Sequence, residues 1–95
     1  MERIKVIILD NHIEERFSIE DILTDIEDIS LSASPDTLEE AMSLIDAHNI
    51  DVILISRDFC NDGYGAASKI EAEFLDKASI MIESELNEDT MSKAI

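Results

Sequence analysis

Two short runs, IKVIIL at residues 4–9 and DVILIS at residues 51–56, constrain the fold of this chain more than any other feature. Both are dense in β-branched residues. Neither alternates apolar with polar positions, as a strand with one wet face does, and both give way to polar residues at the carboxyl end. A strand written this way is covered on both faces, the condition met inside a parallel sheet with helices above and below.

The segments around them fit that frame. From His12 to Asp28 the period changes: Ile13, Phe17, Ile19, Ile22, Leu23 and Ile26 recur at helical spacing among acidic residues, predicting an amphipathic helix capped by Asn11. Residues 29–33 (ISLSA) alternate and predict a partly covered strand. Ser34-Pro35-Asp36-Thr37 reads as a helix start with proline at the first helical position, where its missing N–H costs nothing, and Leu38, Ala41, Met42 and Ile45 share the inward side. Residues 57–65 hold both glycines, Gly63 and Gly65, and read as a loop. A helix from about Tyr64 to Leu75 follows, with Ala66, Ala67, Ile70 and Phe74 inward, then a strand from Ala78 to Ile82. Asn87 opens a last helix that is still running at Ile95. The methionines Met42, Met81 and Met91 read as core fillers.

Strands alternating with helices over short connections predict an α/β fold, a doubly wound parallel sheet in one domain spanning residues 1–95. Ligands of such sheets sit beyond the carboxyl ends of the strands. That rule selects Asp10 and Asn11, Ser56 to Asp58, and Glu83 to Glu85 as candidate site residues.

Composition narrows the partners. Lys and Arg number 7 against 23 Asp and Glu, a formal net charge of −16, which repels nucleic-acid phosphates and anionic lipid headgroups. Direct nucleic-acid binding is therefore not expected. No apolar run approaches the roughly 20 residues of a membrane-spanning helix, so no membrane insertion is expected. The single cysteine, Cys60, has no partner for a disulfide within the chain. With neither a zinc-type spacing nor a signal peptide in evidence, the expected compartment is a reducing cytoplasm. His12 and His48 fall at helix ends, where histidines are ordinarily solvent-exposed or capping.

In KVIILDN, in DVILIS and above all in TLEEAMSLIDAHNIDVILIS, the chain resembles the receiver domains of bacterial two-component response regulators, over essentially its whole length. The resemblance implies a flavodoxin-like receiver fold that stops before the fifth strand and fifth helix. It also implies a pocket. A working receiver holds magnesium with two acids after its first strand, takes the phosphoryl group on an aspartate after the third, and places a Ser or Thr after the fourth. Here Asp10 matches the first acid, Asn11 stands at the second, Ser56 at the phosphoacceptor position, Asp58 at the position whose carbonyl meets the metal, and Ser84 at the hydroxyl position. A serine cannot form the acyl phosphate, and an amide oxygen is a weaker ligand than a carboxylate for a hard cation. What remains at Asp10, Asn11 and Asp58 is at most a weak magnesium site, and no cofactor is otherwise expected.

The function implied is a phosphorylation-independent pseudo-receiver, a protein-interaction or assembly module rather than an enzyme, binding a protein partner or a second copy of itself. Atypical receivers of this kind precede the P-loop domain of pilus-assembly ATPases related to ParA and MinD, and also occur in transcription factors. The alternative is a signalling receiver that still accepts phosphate through Asp58 or Asp10, or binds a divalent cation at the degenerate acidic site. Ile80 and Ile82 on the fourth strand are expected to be exposed at a sheet edge that recruits the rest of the domain or another copy.

Overall fold

The computed structural model describes residues 3–32 and 34–82. Four strands, β1 (Ile4–Leu9), β2 (Ile29–Leu31), β3 (Val52–Ser56) and β4 (Ala78–Ile82), form one sheet in the order β2-β1-β3-β4, and every neighbouring pair is parallel. Three helices connect them: α1 (Ile13–Thr24), α2 (Leu38–Ala47) and α3 (Gly63–Glu73), with a short 3-10 turn at Phe59–Asn61. The first crossover moves from β1 outward to β2, and the next two move the opposite way, to β3 and then β4. Right-handed connections therefore put α1 on one face and α2 and α3 on the other. The sheet is doubly wound and flavodoxin-like, with the first four strands of the order 2-1-3-4-5.

The two buried runs are the central strands, as their composition requires. Ile7, Leu9, Ile53 and Ile55 point to one face and meet Ala41 and Ile45 of α2 and Ala66 and Ile70 of α3, all buried, with Met42, Ala67, Phe74 and Met81 packed around them. Val6 and Ile8 point to the opposite face and are also buried. Phe59 joins the main core from the 3-10 turn, a contribution invisible to periodicity because the residue belongs to no long element.

Local chemistry sets the helix ends. Thr37, the last residue of the expected start, is the N-cap of α2, so Leu38 and not Pro35 takes the first helical position: the Thr37 hydroxyl accepts from the Glu40 N–H at 3.2 Å, in the Thr-x-x-Glu pattern that favours a start there. Pro35 lies before the helix and is buried. At the other end, Asn49 takes a positive φ, the Asn49 N–H donates to Asp46 and the Ile50 N–H donates back to Ile45. This is a Schellman stop whose apolar clasp is Ile50 on Ile45, both fully buried. Gly63 and Gly65, expected in a loop, instead form the first turn of α3. Asp62 caps that helix by accepting from the Gly65 N–H at 3.0 Å.

α1 departs most from expectation. It is shorter than residues 12–28, and none of its residues is buried. At 100° per residue its apolar positions spread around most of the circumference, so no single face could bury them all. Arg16, Ile19, Glu20 and Leu23 take the half-buried side. Ile13 and Phe17, 58% and 55% exposed, are left on one flank, and Ile22, 66% exposed, on the other. The Arg16 guanidinium lies 5.8 Å above the Phe17 ring. On β4, Ile80 is exposed and Ile82 half-buried. Register places Ile80 beside Leu54 and Leu54 beside Ile8, so the exposed isoleucine belongs to the α1 face. The helix expected from Asn87 and the core position expected for Met91 lie outside the described residues. Among the described residues no helix is long and apolar enough to cross a membrane.

Candidate functional site at the carboxyl ends of the strands

The register that pairs Leu9 with Ile55 carries on to set Asp10 beside Ser56. These are the buried polar residues of the described chain, 1% and 2% exposed. Two central strands thus end side by side in one carboxylate and one hydroxyl, beneath loops that shut out water.

Asp10 is only half satisfied. Its Oδ1 accepts from the His12 backbone N–H at 2.9 Å and lies 3.2 Å from His12 Nδ1. Its Oδ2 is buried and has no hydrogen-bond partner. Burying a polar oxygen unpaired costs about 1–3 kcal/mol, and more when it is charged. The turn that creates this geometry also begins α1. His12 is the N-cap residue in extended conformation and makes no side-chain cap bond, so the helix start is not held by Asn11 as expected.

Asn11 has another task. Its Oδ1 accepts from the Cys60 N–H at 2.7 Å and its Nδ2 donates to the Asp36 carbonyl at 3.1 Å, while Cys60 Sγ reaches that same carbonyl at 3.2 Å. Cys60 and Asn61 both have positive φ, a conformation that costs a non-glycine residue roughly 1 kcal/mol or more. One amide therefore ties the end of β1 to the approach of α2 and to a strained loop after β3. Asn11→Ala is expected to remove about 1–2 kcal/mol of stability. It should also speed amide exchange at Cys60 above that of the β1 core. Unchanged exchange at Cys60 would show that the loop holds its shape without Asn11.

Ser56 Oγ accepts from the Asp58 N–H at 3.4 Å, a long contact, and the Arg57 N–H donates to Ile82 of β4 at 3.1 Å. Asp58 is exposed, and its carbonyl accepts from the Asn61 N–H. Glu83, Ser84 and Glu85, the remaining residues singled out by sequence, lie outside the described residues. The structure thus brings Asp10 and Ser56 together and commits the Asn11 amide to the loops.

Among the described residues, the His, Cys and carboxylate side chains close enough to share one ion are Asp10, His12 and Glu15, whose ligand atoms lie within 4.8 Å of one another. Asp58 is not one of them. Sequence reasoning missed His12 and Glu15. The signal was present as Asp-x-His-x-x-Glu across a strand end and the first turn of a helix, where residues three apart share a face.

No family model matches the chain. No curated protein matches it either. The functional reading therefore rests on the fold and on the chemistry of these strand ends.

Proposed function

We propose that this chain is a receiver-like protein-interaction module that works without phosphoryl transfer, serving as a regulatory or localisation domain within a larger protein. The observation that carries the reading is Ser56. The residue that ends β3, where the resemblance to receivers would put the phosphoacceptor, is a buried serine whose hydroxyl is turned to its own loop, accepting from the Asp58 N–H. Serine forms no acyl phosphate, and it attacks poorly without a base to activate it. Binding is then the work left to the domain.

The exposed apolar side chains of α1 supply a surface for it. Ile13 and Phe17 stand one turn apart, with Glu14 and Asp21 exposed on the same helix. The chain carries −16 overall, so a second copy would meet like charge, whereas apolar side chains ringed by Lys and Arg would meet complementary charge. The occupant proposed is a protein partner of that chemistry.

A photo-crosslinking residue at position 17, compared with one at exposed Glu71 of α3, tests this in cells. Position 17 should yield a discrete adduct with a basic protein, absent at position 71 and insensitive to loss of histidine kinases. Adducts formed only between copies of the chain would replace the partner with self-association. Identical adducts at both positions would rule out a docking face on α1.

A further inference from the structure

We infer that Asp10, His12 and Glu15 form a binding site for a divalent transition-metal cation of the zinc class. The set differs from the magnesium site implied by Asp10, Asn11 and Asp58, and the inference does not depend on the proposed function. His12 Nδ1 lies 3.2 Å from Asp10 Oδ1 and 3.7 Å from Glu15 Oε2. A cation bound to nitrogen and oxygen at roughly 2.0–2.2 Å holds neighbouring ligand atoms about 3–3.6 Å apart, so only a small adjustment closes the set on one ion.

A second observation points the same way from the buried side. Asp10 Oδ2 is shut away from water with no hydrogen-bond donor, although it belongs to a carboxylate that is 1% exposed. A cation shared by this carboxylate supplies the positive charge that no donor supplies. The backbone also holds the ligands in place. The His12 N–H anchors Asp10 Oδ1 at 2.9 Å, and the first turn of α1 carries Glu15 to the side of His12.

The donor types select the metal. One imidazole nitrogen with two carboxylates suits zinc, nickel or cobalt, whereas magnesium favours an all-oxygen shell rich in water. On binding, the Nδ1 lone pair goes to the metal and the ring N–H lies on Nε2. Three protein ligands leave a position open to water or to a donor from another molecule.

The test is calorimetric titration of the chain with zinc chloride, with magnesium in large excess to occupy the diffuse acidic surface. One equivalent of zinc should bind. His12→Ala and Glu15→Gln should each weaken binding at least about tenfold, the scale on which even outer-shell changes act at metal sites, and His48→Ala should leave it unchanged. His12 and Glu15 are exposed or half-buried, so circular dichroism should find both variants folded. Amide shifts in NMR should centre on residues 10–15. Zinc binding by His12→Ala as tight as by the parent chain would overturn the site, as would its loss in excess magnesium or an equal effect of His48→Ala.

Discussion

Gly63→Ala is expected to lower the free energy of unfolding by about 3 kcal/mol or more, among the largest effects of any single methyl added to this chain. A Cβ at Gly63 would sit 2.1 Å from the Ser56 carbonyl oxygen and 2.6 Å from that of Arg57. Both are backbone atoms, and neither can step aside alone. The Gly63 N–H donates to the Arg57 carbonyl at 2.9 Å, and the Arg57 N–H is bonded to Ile82 of β4, so moving this turn disturbs the β3–β4 ladder at its carboxyl end. Gly65→Ala provides the contrast. Its Cβ would meet the Asp62 carboxylate, the movable end of a side chain. Losing that cap costs about 1 kcal/mol, and alanine returns about as much in helix propensity, so the change should be close to neutral. Denaturant titration of both variants checks the pair. Equal stabilities would mean that the start of α3 is not seated against the end of β3.

Ser56→Asp is expected to destabilise the chain by roughly 3 kcal/mol in the presence of a chelator, because it sets a second carboxylate into a buried position beside Asp10. It should not by itself confer a phosphorylation switch, since acyl-phosphate chemistry also needs a well-held cation. Ser56→Asp with Asn11→Asp should be less stable still without metal. The second change adds like charge and removes the amide that donates to the Asp36 carbonyl. The double variant should then gain stability as magnesium is added, by mass action on the folded state. Equal melting temperatures with and without magnesium would show that residues 10, 11 and 56 do not share one pocket.

The sheet was legible because its signal was written twice. The runs at residues 4–9 and 51–56 name β1 and β3 with their ends nearly to the residue, and the inward positions of α2 and α3 follow from helical spacing. Where the reading departed, a local interaction overrode periodicity. Thr37 took the cap and left Pro35 before the helix. Asp62 turned the glycine-rich segment into a helix start. Apolar residues spread over more than half the circumference of α1 could not share one buried face. At the candidate site, the rule that ligands sit beyond the carboxyl ends of the strands selected Asp10 and Ser56, and it is the β1–β3 register that sets them side by side. The use of Asn11 as a clamp on Cys60 and Asp36 depends on contacts 49 and 25 residues away, which no local pattern encodes. The approach of His12 to Asp10 was within reach of sequence, since the two are separated by one residue. A histidine at a helix end nevertheless reads first as an exposed cap.

The central proposal is that this flavodoxin-like domain works without a phosphorylation switch, and NMR with beryllofluoride and magnesium tests it most directly, since that pair mimics the aspartyl phosphate. The account predicts that backbone amide shifts at Asp10, Asn11, Ser56 and Asp58 stay where magnesium alone leaves them. Shifts on adding beryllofluoride that are confined to these strand ends would mean that a carboxylate there still accepts the phosphoryl group, and would contradict it.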